Sequence, residues 1–316
     1  MRRYFFRRVI LLLPTLLGVS IIAFLIMHLI PGDVVDAMIG TEANLSEESR
    51  ETLQRVLGVD KPIAQQYVDW LTSLLQGDLG VSLISGSPVV DELMRGLPVT
   101  IELAIVSSLI AIVFGVPLGV ISAVHRRGWL DGATRILGLA GLSMPNFWLG
   151  ILLLLAASRW FNWSPKLIYV SFWDNPAENL SQMLLPSIAL SVGFMAVVMR
   201  MTRSSMLEVL NQDFIRTARA KGLRESAVVA RHGLRNALIP VITIAGIQFA
   251  YLLGGAVVIE QIFGLPGLGW ILMKGIMQRD FPIVQGGVMF ITLAFMVVNL
   301  GVDLIYARLD PRISYS

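Results

Sequence analysis

Apolar residues gather along this chain in long runs separated by short polar segments. Crossing a hydrocarbon core about 30 Å thick takes about 20 helical residues. Six runs reach that length, at roughly 9–30, 99–124, 134–158, 181–201, 237–259 and 282–305. The fifth carries no charge from Ala237 to Ile259, and the sixth none between Phe281 and Val302. The second has Glu102 near one end, and the third has Arg135 at one end. Pro186 and Gly193 interrupt the fourth, which spanning helices tolerate when neighbours satisfy the freed backbone groups. The pattern predicts an all-α membrane protein with six transmembrane helices.

The polar segments set the organisation. Arg2, Arg3, Arg7 and Arg8 precede the first run, which extends from Val9 to Ile30 with no A-x-A cleavage site after it. That is the pattern of an uncleaved anchor, so residues 1–30 read as a cytoplasmic N-terminus and first span. Placing both termini inside puts most of the 25 Lys and Arg on the inner side: the N-terminal four, Arg126, Arg127 and Arg135, eight between Arg200 and Arg235, and Arg308 and Arg312. Basic residues concentrate on the cytoplasmic side of membrane proteins. Segment 31–98 then forms an outer helical loop. Ser46 with Glu47 and Glu48 predicts a helix start, with a stop at Gly58. A second helix is expected from Pro62 to Gly77, with Ile63, Tyr67, Trp70, Leu71, Leu74 and Leu75 on one face. This loop reads both as a cap on the membrane domain and as a docking surface for an extracytoplasmic partner. Residues 99–316 carry the other five spans.

Composition agrees. Hydrophobic residues make up 55% of the 316 and charged residues only 15%, and mean hydropathy is +0.71. No soluble domain of this length has an interior for so much apolar material. The absence of cysteine removes disulfides, thiolate metal sites and cysteine nucleophiles. With three scattered histidines, His28, His125 and His232, the chain offers no metal site. The net charge of +3 belongs to the inner loops and does not point to nucleic acid.

The longest inner segment, 204–236, holds the candidate mechanism. Met206, Leu210, Phe214 and Ala218 recur every four residues, which gives one helix an apolar face. Helix 204–220 is expected to end at Gly222. A short helix at about 224–232 follows, stopping near Gly233, with Asn236 capping the fifth span. Arg203 reads as a peripheral charge. A loop that only fixes topology needs no helix–Gly–helix design, nor the small residues Ala218, Ala220 and Gly222 at a bend. Small side chains there let another protein's backbone approach.

Asp213-Phe214-Ile215-Arg216-Thr217-Ala218-Arg219-Ala220-Lys221-Gly222, followed by Arg235-Asn236-Ala237-Leu238-Ile239-Pro240, closely resembles the EAA loop of binding-protein-dependent ABC importer permeases. In detail it is similar to the B-type subunit of the dipeptide, oligopeptide, nickel and glutathione branch. Ile30-Pro31-Gly32-Asp33, Gly77-Asp78-Leu79-Gly80, Pro266-Gly267-Leu268-Gly269, Asp280-Phe281-Pro282 with Gln285-Gly286, and Asp310-Pro311-Arg312 match as well. One departure is that the aligned first position is Arg216 rather than Glu.

The resemblance implies a type I importer permease subunit that couples to ATPases through Asp213, Arg216, Thr217, Ala218, Arg219, Ala220, Lys221, Gly222, Leu223, Arg224 and Glu225. It implies a second homologous permease, two cytoplasmic ATPases, an extracytoplasmic binding protein and the bacterial cytoplasmic membrane as its setting. ATP and magnesium would sit on the ATPases, and no cofactor on this chain. The chain indeed contains no G-x-x-x-x-G-K-[ST] phosphate cradle.

Ser143, Asn146, Gln248 and Asn299 are polar groups within spans, suited either to line a passage or to bond between helices. Asp303 is expected to pair with Arg308 or reach water, and Glu102 to sit hydrated at the outer boundary. Gly254, Gly255, Gly286 and Gly287 suit close helix packing. A proton-driven secondary transporter would require ionisable relay residues deep in the spans, which are sparse here. An intramembrane hydrolase would require a base near a nucleophile, and His28 has no convincing partner. The best reading is a permease subunit that makes no chemical bond.

Overall fold

The computed structural model describes residues 2–29, 52, 60–166 and 168–309, and among them the chain is helical. The expected helix start at Ser46–Glu48, its stop at Gly58, and the turns at Ile30–Asp33 and Asp310–Arg312 lie outside the described residues. So do the side chains of His28, Gly255 and Asp303. The described chain divides into two compact units, Met1–Val99 with Pro266–Val297, and Thr100–Leu265 with Val298–Ser316.

In the first unit, α1 (Arg2–Leu29) turns Ile10, Leu11, Leu13 and Ile22 outward and buries Ala23 and Phe24. Helix α2 (Ile63–Leu75) starts after Pro62 and stops before Gly77, whose φ is +85°. Its Tyr67 and Trp70 rings stand 5.3 and 5.9 Å from the Phe24 ring, and the Tyr67 hydroxyl shares a 2.9 Å hydrogen bond with Ser20. The expected apolar face is therefore partly used, whereas Ile63 and Leu75 at its ends stay exposed.

Helix α3 (Val89–Val124) begins in this unit, with Val89 and Leu93 packed on Leu268 and Ile271 of α9 (Leu268–Gln278) and on Ile283 of α10 (Phe281–Leu309). Gly96 permits that approach: a Cβ there would lie 2.6 Å from Ile271 Cδ1 and 3.0 Å from the Gly267 carbonyl carbon. Added carbons at Gly286 and Gly287 would meet Val89 and Leu272 at 3.0 Å, so these glycines pack closely as expected, while Gly254 has no such neighbour. Asp280, buried at the start of α10, accepts from Ser82 Oγ and from the backbone N–H groups of Leu83 and Ile283. This carboxylate ties the 82–83 turn to the helix start.

In the second unit α6 (Pro176–Leu210) is the hub, contacting α4 (Trp129–Ser143), α5 (Asn146–Phe161) and α8 (Arg235–Phe263). It is the most buried of the long apolar helices. Asn175 caps it by accepting from the Glu178 N–H, and Pro186 rides inside it without a break. A Cβ on Gly119 of α3 would lie 2.6 Å from the Met199 carbonyl oxygen and from Thr202 Cβ, so α3 and α6 meet almost backbone to backbone.

Among the described residues, four helices are long and apolar enough to cross a membrane: Val89–Val124, Pro176–Leu210, Glu225–Gly254 and Phe281–Gly301. They contain or largely overlap the expected second, fourth, fifth and sixth spans. The expected third span, 134–158, is not one helix. It divides into α4 and α5, bent by 103° at Met144–Pro145. Met144 is extended because the residue before proline is pushed out of the helical region, and Pro145 then opens α5. With 15 and 16 residues, each half is about 22–24 Å long, short of the ~30 Å core. A second pair, Ala256–Phe263 with Leu268–Gln278, is also broken, at Gly264 with φ +66°. If each broken pair is one span, the total among the described residues is up to six, but it is not the expected set: the second pair takes the place of the expected first span, whose apolar stretch Ile10–Ile26 is shorter than the others.

Candidate functional site

The segment after α6 is built from three short pieces. Helix α6 stops at Leu210, and Asn211 and Gln212 leave the helix. Helix α7 (Asp213–Ala220) then begins with Asp213 in its first turn. The expected continuous helix 204–220 is therefore interrupted, and the interruption resets the phase. Phe214, expected on the inner face, is 43% exposed, whereas Ile215 is fully buried beside Ala218, Val228 and Leu210. Gly222 takes φ +76° after the Lys221 C-cap. Its N–H donates to the Arg219 carbonyl at 2.9 Å, and that of Leu223 to the Ala218 carbonyl at 3.4 Å. This left-handed glycine stop is the one the sequence implies.

Beyond the turn, a single helical run replaces the expected separate helix 224–232. One α turn (Glu225–Ala227) passes into a π stretch (Val228–Leu234) and directly into α8. No stop occurs at Gly233, which is buried with Met206 Cε 3.2 Å from its would-be Cβ. Asn236 does not cap a new helix. Its side-chain amide donates to the His232 carbonyl within the run. The wider turn of a π stretch lets Val228 and Gly233 both face inward, where Val228 meets Ile215 and Gly233 admits Met206 and Leu210.

One face of the α7 turn is thus fixed to the protein and the other is bare. Asp213, Arg216, Thr217, Arg219, Ala220, Lys221, Gly222, Leu223, Arg224 and Glu225 are all exposed, and of the site residues only Ala218 is buried. Arg219 bridges the turn with two hydrogen bonds to Glu225, Nη2 to Oε1 at 2.6 Å and Nε to Oε2 at 3.1 Å. Arg216 reaches Asp213 at 3.2 Å, and Thr217 Oγ1 donates to the Asp213 carbonyl. A Cβ on Gly222 would meet nothing within 4 Å, so the space above it is open.

Just behind the segment, Asp131 is buried and accepts from Arg203 Nε at 2.8 Å, Arg203 Nη2 at 3.1 Å, Ser122 Oγ at 2.7 Å and the Arg127 N–H at 3.1 Å. Arg203 is therefore no peripheral charge. It joins α6 to the first turn of α4, and through Asp131 to Arg127 in the turn before it. Sequence reasoning missed this pair, since 72 residues separate its members and the only local signal was an acid in the first turn of a helix. It also missed Glu260, which follows the apolar run of the fifth span, is fully buried and accepts from Thr100 Oγ1 at 2.7 Å. Glu102 is not simply hydrated, because it is half-buried and accepts from the Tyr169 hydroxyl. Burial and that carboxylate push the Tyr169 phenol above its ordinary range.

Of the four expected passage residues, Asn146 and Gln248 line one cavity of about 250 Å³, together with Gly193, Phe194 and Tyr251. Ser143 and Asn299 do not line it. The cavity touches the α4–α5 break through Met144. Among the described residues no group of three or more His, Cys, Asp or Glu is arranged to hold a metal ion.

Long apolar helices, with an interrupted apolar pair beside a cavity and a fixed loop with one bare face, define a multi-pass membrane protein. Residues 115–315 match the family model described as binding-protein-dependent transport system inner membrane component, and residues 1–104 match that of the N-terminal part of such membrane components. The chain belongs to this family of binding-protein-dependent transport proteins, as the loop motif implied. It is 43% identical over 315 residues to the glutathione transport system permease protein GsiC of Pectobacterium atrosepticum, covering 100% of both chains. A putative peptide transport system permease protein of Brucella abortus is 43% identical over 309 residues, with 98% of each chain covered. The fold is similar to a chain of the inward-facing MetNI methionine ABC transporter, with a TM-score of 0.58 and 20% identity, covering 69% of this chain and 96% of that one.

Proposed function

We propose that this chain is one of two permease subunits in an ATP-driven importer of peptides, including di- and oligopeptides or glutathione-like substrates. The carrying observation is the segment Asp213–Glu225, packed through Ile215 and Ala218 against Leu210 and Val228 and bare on its other face. The bare face seats in a groove of a cytoplasmic ATPase, and a second ATPase serves the homologous permease. ATP and magnesium are held by those subunits. This chain makes no chemical bond and carries no ATPase site. Both termini face the cytoplasm, and an extracytoplasmic binding protein delivers the substrate. The names of the relatives at 43% identity support the substrate class.

In this mechanism, ATP-driven closure of the ATPases displaces α7 and the Gly222 turn. Because the turn is continuous with α8 and packed on the end of α6, the displacement moves both helices. Asn146 and Gln248 line the passage that alternates between the two sides. Small and apolar walls bind peptides weakly, which suits release, so selectivity resides in the binding protein.

The test is uptake into proteoliposomes holding this chain, its partner permease and ATPases, with binding protein and labelled dipeptide or glutathione outside. Uptake should require ATP and binding protein and survive a proton ionophore. Uptake that persists without ATP and collapses with the ionophore would overturn the reading.

A further inference from the structure

Between α4 and α6, at the end of α6 that carries the loop, lies a second cavity of about 370 Å³. Its lining combines Arg135, Arg200 and Arg203 with Leu139, Leu142 and Met199. Arg203 is committed to Asp131 through two of its donors. Arg135 and Arg200 have no hydrogen-bond or ion-pair partner among the described residues. Three guanidinium groups against one carboxylate leave the site with an excess of two positive charges. Gly138 lets Met199 pack closely on α4, since a Cβ there would lie 2.5 Å from Met199 Cε.

The proposed transport role leaves this cavity without a task. Its lining is amphiphilic: guanidinium forks suit a phosphodiester, and the leucines suit the start of an acyl chain. Ile136, Leu137 and Leu139, in and beside it on α4, are 69%, 60% and 65% exposed, the condition of side chains that face lipid. A free anion would need only the arginines. Basic cavities between spanning helices at a membrane boundary take anionic headgroups. We infer that this cavity is a binding site for the phosphodiester headgroup of an anionic phospholipid, with Arg135 and Arg200 as its free ligands. The site does not depend on which substrate the importer carries.

The experiment uses the full-length chain, purified from membranes with the subunits it retains, in nanodiscs of phosphatidylcholine with added phosphatidylglycerol. Bound lipid is counted by native mass spectrometry. The expected result is preferential retention of phosphatidylglycerol, weakened on the order of 10- to 30-fold in Arg135→Gln/Arg200→Gln. Arg135→Lys/Arg200→Lys should retain most of it, and Arg126→Gln, at an exposed arginine outside the cavity, should leave it unchanged. Equal retention in wild type and the double Gln variant overturns the inference, as does an equal loss in Arg126→Gln. Displacement of the lipid by millimolar inorganic phosphate would mean the site reads a free anion, and also overturns it. A protein that retains the lipid but imports no peptide contradicts only the proposed transport function.

Discussion

Removing Arg203 should cost more than removing its partner Asp131, and the asymmetry follows from burial. The Asp131 side chain is 4% exposed and that of Arg203 24%. Arg203→Met takes both guanidinium contacts from a carboxylate that then keeps only Ser122 Oγ and the Arg127 N–H. Stranding one member of a buried pair costs about 3–5 kcal/mol. Asp131→Asn keeps the shape and the Ser122 contact, and the stranded guanidinium can turn toward water, so its cost should be about 1–3 kcal/mol. In the double variant the stranded charge is gone, and the sum of the singles should exceed its effect by about 1–3 kcal/mol. Reversible unfolding in mixed detergent micelles, followed by tryptophan fluorescence, measures all three. Arg231→Met, at an exposed arginine with no ion pair among the described residues, serves as the control, expected within about 0.5 kcal/mol of wild type. Additive singles, or a larger effect for Asp131→Asn, would refute the assignment of a buried pair.

Gly222→Ile should strain the turn by about 1–2 kcal/mol and obstruct a partner, giving normal membrane abundance but weak co-purification with the ATPase and little uptake. Gly222→Asn, which tolerates the left-handed backbone better, separates the two effects: if only strain matters, its uptake should be close to normal. Gly119→Val should lower membrane abundance severalfold on immunoblots, because the new side chain would collide with the Met199 carbonyl and Thr202. On the proposed orientation, single cysteines at Lys166 and Lys274 should react with an impermeant maleimide from outside, and those at Arg127 and Arg224 should not. The reversed pattern would invert the topology.

The second, fourth, fifth and sixth spans were legible because apolar transfer is local: a run either is or is not long enough to cross. Where they break was less so. Pro186 and Pro240 lie inside continuous helices while Pro145 opens a new one, so proline alone does not mark a break. The Gly222 stop was legible because only a left-handed residue closes that turn. The inner face of α7 was not, because two non-helical residues, Asn211 and Gln212, shift the periodicity and put Ile215 where Phe214 was expected. The π stretch hid in the same way. A Gly after a basic helix reads as an end, but Gly233 is buried under Met206 and the helix continues. Pairs such as Asp131 with Arg203, or Thr100 with Glu260, depend on tertiary approach over long separations and leave no local pattern.

These contacts bear on how a push at Gly222 would travel. A loop tethered only by its ends would absorb displacement by flexing. Here Ile215, Ala218 and Val228 form a buried joint, and Val228 lies in the same unbroken run as α8. On the other side, Met206 packs with Ala123 and Ala237, and Ser205 Oγ donates to the Ala237 carbonyl at 3.0 Å, fastening α6 to α8 below the turn. Arg203 then fastens α6 to the α3–α4 turn through Asp131. Packed interfaces and cores are bistable rather than continuously deformable, so on the proposed coupling role a force entering at the bare face would move α6, α8 and the α3–α4 turn together. The cavity holding Asn146 and Gln248 lies between α4, α5, α6 and α8, and those helices would carry the motion to it.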